Sequence, residues 1–168
     1  METTTSIWTL IFSGQNLAIL GAAIATLVAG IGSAKGVSKV AKATAGLISE
    51  DPNKYGKSML LQALPMTQGI YGLVTAFMIL LRAGVMNGTA STLSVNGGAY
   101  FLIASLPIAL GGLYSAIRQA DVAAAGISVL AKRPDAVGKA VISASFVELY
   151  AILGLLISLM MILFGNVA

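Results

Sequence analysis

Three stretches of this chain run without a charged side chain: Thr3 to Ala34, Ser58 to Leu81 and Ala83 to Ile117. A fourth, from residue 140 onward, holds only Glu148. A helix crosses the hydrocarbon core of a bilayer with about 20 mostly apolar residues, and each run is long enough for one crossing. A composition of 57% hydrophobic and 10% charged residues decides for membrane spans over a soluble core. The expected architecture is all-α and integral to the membrane, with four transmembrane helices over residues 12–40, 58–83, 98–126 and 139–165.

The opening METTTSIWTL has an acid where a secretory signal carries its basic segment, so the first apolar run is expected to be retained as a helix. The chain has no cysteine and no histidine. Disulfides, thiolate metal sites, zinc chemistry and imidazole acid–base work are therefore excluded. A net charge of +4 would suggest nucleic acid in a soluble chain, but here the bases gather at helix ends, so no nucleic-acid partner is expected.

The bases also orient the chain. Lys35, Lys39, Lys42, Lys54 and Lys57 lie toward the first connection, and Lys132, Arg133 and Lys139 toward the last. The middle connection, VMNGTASTLSVNGG, has none and only Arg82 at its edge. By the positive-inside rule the first and third connections face the cytoplasm, and both termini face the opposite side.

A shift of 82 residues superposes Gly30 on Gly112, Ser33 on Ser115, Pro52 on Pro134, Lys57 on Lys139, and Gly72 on Gly154. The chain thus reads as two tandem hairpins, residues 1–84 and 85–168, and because each holds two spans the repeats are parallel. Under the same shift Glu148 falls on Met66, so only the second hairpin carries the carboxylate. Small residues form stripes at helical spacing: Gly21, Ala25, Ala29, Gly32 and Gly36 in the first helix, and Ser105, Ala109, Gly112, Ala116 and Ala120 in the third. Lipid gives no hydrophobic drive between helices, so such stripes promote close backbone packing. They fit a compact four-helix bundle, and also the tightly wound inner layer of a homo-oligomeric ring with helices two and four outside.

An ionised acid at the bilayer centre costs about 2.5–3.5 kcal/mol on insertion scales, so Glu148 needs partners or a proton. Glu148 lies 148 − 139 = 9 residues beyond Lys139, Gln68 lies 68 − 57 = 11 beyond Lys57, and Gln119 lies 132 − 119 = 13 before Lys132. At about 1.5 Å per residue these three fall within one layer. Thr67 and Tyr71, four apart, adjoin Leu64 and Gln68 on the same helix face. Pro65 cannot donate to the carbonyl of Leu61 and distorts the turn before it, which makes the Leu64 carbonyl a candidate ligand. Amide carbonyls, a hydroxyl and a carboxylate are hard donors suited to a hard cation, and one negative charge suits a monovalent one such as Na+. Tyr71 is placed to donate its hydroxyl to the carboxylate. A proton would need fewer oxygens and remains the alternative cargo.

The hairpin repeat together with GIGSAKG, LPMTQGIYG, VAAAGI and VELYAILG resembles the proteolipid (c-type) rotor-ring subunits of V-type ATPases, particularly the sodium-translocating bacterial branch, over nearly the whole chain. That resemblance implies a membrane ring of identical subunits. The ring turns against a stator subunit with an essential arginine, is driven through a central-stalk subunit on the cytoplasmic side, and is surrounded by membrane lipid. It also implies Na+ ligands at Leu64, Thr67, Gln68, Gln119 and Glu148, with Tyr71 as a hydrogen-bonding lock. Two residues depart from the pattern: Met66 stands where glycine is expected, and Arg118 stands where a small neutral residue is expected. It is one residue, about 100°, from Gln119, so it should face away from the site, with Asp121 as its partner. No Walker sequence or nucleophile constellation is present, so the chain carries ions and does not itself hydrolyse ATP. A small four-helix multidrug antiporter also uses one intramembrane glutamate, but the parallel repeat and the want of an aromatic cage speak against it.

Overall fold

The computed structural model describes residues 12–89 and 92–165. The first eleven residues, read above as an uncleaved start, lie outside that range. So do two residues of the middle connection and the last three of the chain, and with them the expected placement of both termini. Among the described residues there is no strand, and four helical rods are long and apolar enough to cross a membrane. In chain order they are α1 (Gly14–Glu50), the broken rod α2 (Tyr55–Ala63) and α3 (Thr67–Arg82), α4 (Val95–Lys132), and α5 (Val137–Phe164).

The rods α1 and α4 run to 37 and 38 residues, about 55 Å each, well past the expected ends at 40 and 126. Bilayer thickness sets only the minimum length of a span. Beyond that length the alanine-rich sequence continues as helix until the next proline stops it. Pro52 and Pro134 push the residues near them out of helical geometry: Asp51 at φ −142°, ψ 90° and Arg133 at φ −140°, ψ 79°. Those two residues are also 133 − 51 = 82 apart. At the other end, Ser13 and Ser94 cap α1 and α4, each accepting from the backbone N–H three residues on.

The two small-residue stripes are buried, and they face one another. A Cβ on Gly32 would stand 2.7 Å from the Cα of Leu113, so the α1 and α4 backbones approach as closely as glycine permits. The outer rods seat on this pair in a repeated way. A Cβ on Gly72 of α3 would overlap the carbonyl oxygen of Ala25, and one on Gly154 of α5 would stand 2.7 Å from the carbonyl oxygen of Pro107. Both members shift by 82, 72 to 154 and 25 to 107. The hairpins therefore share packing as well as sequence.

Large apolar side chains of the outer rods point away from the protomer, among them Leu73 and Phe77 on α3 and Phe146, Leu149 and Leu153 on α5. In water such a surface would be a severe aggregation hazard; against lipid or another chain it is the expected face. Lys54 donates to the carbonyl of Ala131 at 3.0 Å and Lys57 to that of Pro134 at 3.3 Å, tying the two charged turns together at one end of the bundle.

Candidate functional site

The site is built where the second rod is broken. Pro65 has no N–H for the carbonyl four residues back, and the chain passes through a single 3-10 turn, Leu64–Met66, before α3 resumes at Thr67. The backbone N–H of Thr67 then reaches back to the Leu64 carbonyl, and its hydroxyl bonds the same oxygen at 3.1 Å. The break turns Thr67, Gln68 and Tyr71 toward the second hairpin.

From there a continuous hydrogen-bond chain runs between the hairpins. The Thr67 hydroxyl lies 3.4 Å from Gln68 Oε1, Gln68 Nε2 donates to Gln119 Oε1 at 2.7 Å, and Gln119 Nε2 donates to Glu148 Oε2 at 3.3 Å. On the other side, the Tyr71 hydroxyl donates to Glu148 Oε1 at 2.6 Å. Thr67 and Tyr71 are one turn apart on α3, so the chain returns to the helix it left. All six residues singled out from the sequence, Leu64, Thr67, Gln68, Tyr71, Gln119 and Glu148, lie in this network.

The two amides are fully buried, at 0% exposure each, and such groups are costly unless paired. Their orientation is set by that pairing: Gln119 Oε1 accepts from Gln68 Nε2, each amide nitrogen donates onward, and Gln68 Oε1 lies beside the Thr67 hydroxyl, whose one proton goes to the nearer Leu64 carbonyl. Both lone pairs of the Leu64 carbonyl are engaged by Thr67. This oxygen could bind a cation only if the Thr67 hydroxyl proton rotates aside, which at the same time leaves the hydroxyl oxygen facing outward. Glu148 is partly buried at the seam of α3 and α5. Among the described residues no group of three or more His, Cys, Asp or Glu is gathered to hold a metal, so the site offers a single negative charge. That is the donor set for a monovalent hard cation, not for zinc or a multiply charged ion.

Sequence reasoning missed Ser115. It lies one turn before Gln119, accepts from Gln68 Nε2 at 3.3 Å and donates to the Val147 carbonyl at 2.9 Å, clamping the amide against α5. Its repeat mate Ser33 performs a related task in the first hairpin, accepting from the Gly69 N–H at 2.8 Å and donating to the Met66 carbonyl at 3.4 Å. The signal was the match of the two serines under the 82-residue shift, which alone does not distinguish a clamp from a small packing residue.

Arg118 is directed away from the carboxylate, its side chain 75% exposed and its guanidinium 3.5 Å from Asp121. The closer partner of Asp121 is Lys39 of α1, at 2.5 Å.

Comparison with known proteins gives a consistent result. The family described as the C subunit of ATP synthase matches twice, over residues 20–79 and 102–161, an offset of 102 − 20 = 82. The chain is 49% identical over 150 residues to the V-type sodium ATPase subunit K of Enterococcus hirae, covering 89% of this chain and 92% of that protein. It is 36% identical over 146 residues to the A-type ATP synthase subunit K of Methanocaldococcus jannaschii, covering 87% of this chain and 61% of that protein.

Proposed function

The chain belongs to the ATP synthase C-subunit family, and on that premise we propose that it is the rotor-ring subunit of a V-type ATPase, carrying Na+ across the membrane at Glu148. Identical copies form the ring. The first hairpin, residues 1–84, supplies Leu64, Thr67, Gln68 and Tyr71, and the second, residues 85–168, supplies Gln119 and Glu148, so each protomer carries one whole site. Hydrolysis of ATP takes place on other subunits, and rotation reaches this chain through a central stalk on the side of the two lysine-bearing turns.

The observation that carries the reading is the state of the carboxylate. Each oxygen of Glu148 already accepts from a neutral donor, Tyr71 or Gln119. What the group still lacks is charge balance, and a monovalent cation supplies it. With Na+ as cargo, the oxygens of Leu64, Thr67, Gln68, Gln119 and Glu148 replace its water shell and the occupied site is neutral toward lipid. Tyr71 holds the carboxylate in its closed rotamer. When the site meets a stator subunit, an arginine there competes for the carboxylate and weakens its hold on the ion, allowing exchange with water-filled paths.

Proton carriage needs only a carboxyl and gives Gln68, Gln119 and Thr67 no task, so it is the weaker reading. The antiporter alternative has no support from the family match. Equilibrium binding of radioactive sodium to purified rings tests the proposal: wild type binds one ion per protomer and Glu148→Gln binds none. Retained saturable binding in Glu148→Gln would place the ion elsewhere.

A further inference from the structure

The two hairpins of one protomer pack with their equivalent positions nearly in register: Gly32 lies against Leu113, an offset of 113 − 32 = 81, and Gly112 against Ala29, an offset of 112 − 29 = 83. Fully in register is the ion pair between Lys39 and Asp121, since 121 − 39 = 82: a residue of one hairpin touches the residue at its own equivalent position in the other. A repeat that contacts its own image generates a continuing series. Applied once more, the operation that carries the first hairpin onto the second sets Asp121 of one copy beside Lys39 of the next.

A second observation shows a surface waiting for that next copy. Gly112 is tightly packed, since a Cβ there would meet Ala29 Cβ at 3.0 Å, whereas a Cβ on its repeat mate Gly30 would meet no atom of the described residues within 4 Å. A mid-helix glycine costs roughly 1 kcal/mol relative to alanine, and the packing of the described residues leaves room for a methyl group at Gly30. Continuing the hairpin interface fills this space, bringing Gly30 against Gly111, the equivalent of Ala29, in the neighbouring copy. The same step converts the close approach of Gly32 and Leu113 into a meeting of Tyr114 with Ile31, which are 66% and 49% exposed in the single protomer.

We propose that the seam between copies repeats the hairpin-to-hairpin interface, and that Lys39 and Asp121 form a closed belt of alternating charges around the ring, each Asp121 held between two Lys39 side chains. The inference rests on the ring assembly proposed above. It accounts for the partial exposure of both partners, with side chains 56% and 37% accessible, and for the second oxygen of Asp121, whose partner among the described residues is Arg118 at 3.5 Å. It also distinguishes two kinds of seam: the ion site lies within the protomer, while the equivalent place between copies has neither the carboxylate nor the two amides, with Met66 in place of Glu148, Val37 in place of Gln119 and Tyr150 in place of Gln68. A head-to-tail interface of this kind closes on itself when its rotation divides a full turn.

A water-soluble carbodiimide tests the belt on purified wild-type rings, kept in Na+. It activates the Asp121 carboxyl, Lys39 Nζ attacks, an amide forms, and the carbodiimide leaves as its urea. Arg118 forms no such link under these conditions. The mass of untreated rings is measured first. The expected result is a ladder of covalent dimers and higher multimers on a denaturing gel, containing Lys39–Asp121 cross-linked peptides, with roughly even division of those cross-links between and within chains. Lys39→Gln and, independently, the isosteric Asp121→Asn remove the ladder. Cross-links confined to the monomer band in rings of full mass overturn the belt and leave the ring reading standing, as does a ladder that survives both substitutions. A wild-type mass of one protomer overturns the ring reading and the belt together.

Discussion

Replacing Tyr71 by phenylalanine isolates the lock from the rest of the site. The aromatic ring stays, and with it the partial packing of this side chain on the buried cluster of Ala76, Ile79 and Ile108. The backbone carbonyl of Tyr71 also keeps its bond from the Thr75 hydroxyl at 3.0 Å. What is lost is one hydroxyl donor at 2.6 Å from Glu148 Oε1. Hydrogen bonds to charged groups contribute about 1.5–3 kcal/mol. A bound cation shares the carboxylate's charge, which places this bond at the lower end, near 1.5 kcal/mol, or about tenfold in affinity. Such losses fall mainly on dissociation. Tyr71→Phe rings should therefore assemble normally and release radioactive sodium about tenfold faster than wild type in a dilution experiment. Release rates equal within about twofold would refute the lock and leave Tyr71 as a packing residue.

Gln68→Ala and Gln119→Ala each remove one oxygen donor and leave a buried neighbour short of a partner, at about 1–3 kcal/mol apiece. Sodium affinity should fall by tenfold or more in both while circular dichroism and ring mass hold; unchanged binding in both variants removes the amides from the site. Gly72→Ala should destabilise the ring to heat by about 1–3 kcal/mol, because the new Cβ overlaps the Ala25 carbonyl, whereas Gly56→Ala, with nothing within 4 Å, should be neutral or slightly stabilising. Equal melting of the two variants would contradict the close packing of α3 on α1.

Much of this arrangement can be read in the sequence because lipid removes ambiguity. In a soluble chain Gln68, Gln119 and Glu148 would be three polar residues among many; between apolar runs they stand out, and the register of helix ends brings them to one depth. The family resemblance and the all-helical architecture were legible for the same reason, and the family match bears both out. Helix length was not legible at α1 and α4, since the bilayer rule gives a lower bound and says nothing about helix continuing beyond it. Nor was the partner of Asp121: the i,i+3 rule sees Arg118, and only the packing of α1 on α4 brings Lys39 nearer, at 2.5 Å against 3.5 Å. The direction of the hydrogen-bond chain also required the fold, because a glutamine in sequence does not say which end of its amide faces the carboxylate. Ser115 was hidden by its size, as a small residue on a stripe of small residues.

The central claim is that Glu148 holds Na+, and its reaction with a hydrophobic carbodiimide tests this most directly, since that reagent attacks a protonated, accessible carboxyl. Purified wild-type rings are treated across a sodium titration, with potassium at matched ionic strength, and modification at Glu148 is read by mass spectrometry. The account predicts that Na+ slows labelling of Glu148 saturably, that K+ protects far less, and that Gln119→Ala shifts the protection to higher sodium. Labelling of Glu148 at the same rate with and without Na+ would contradict it.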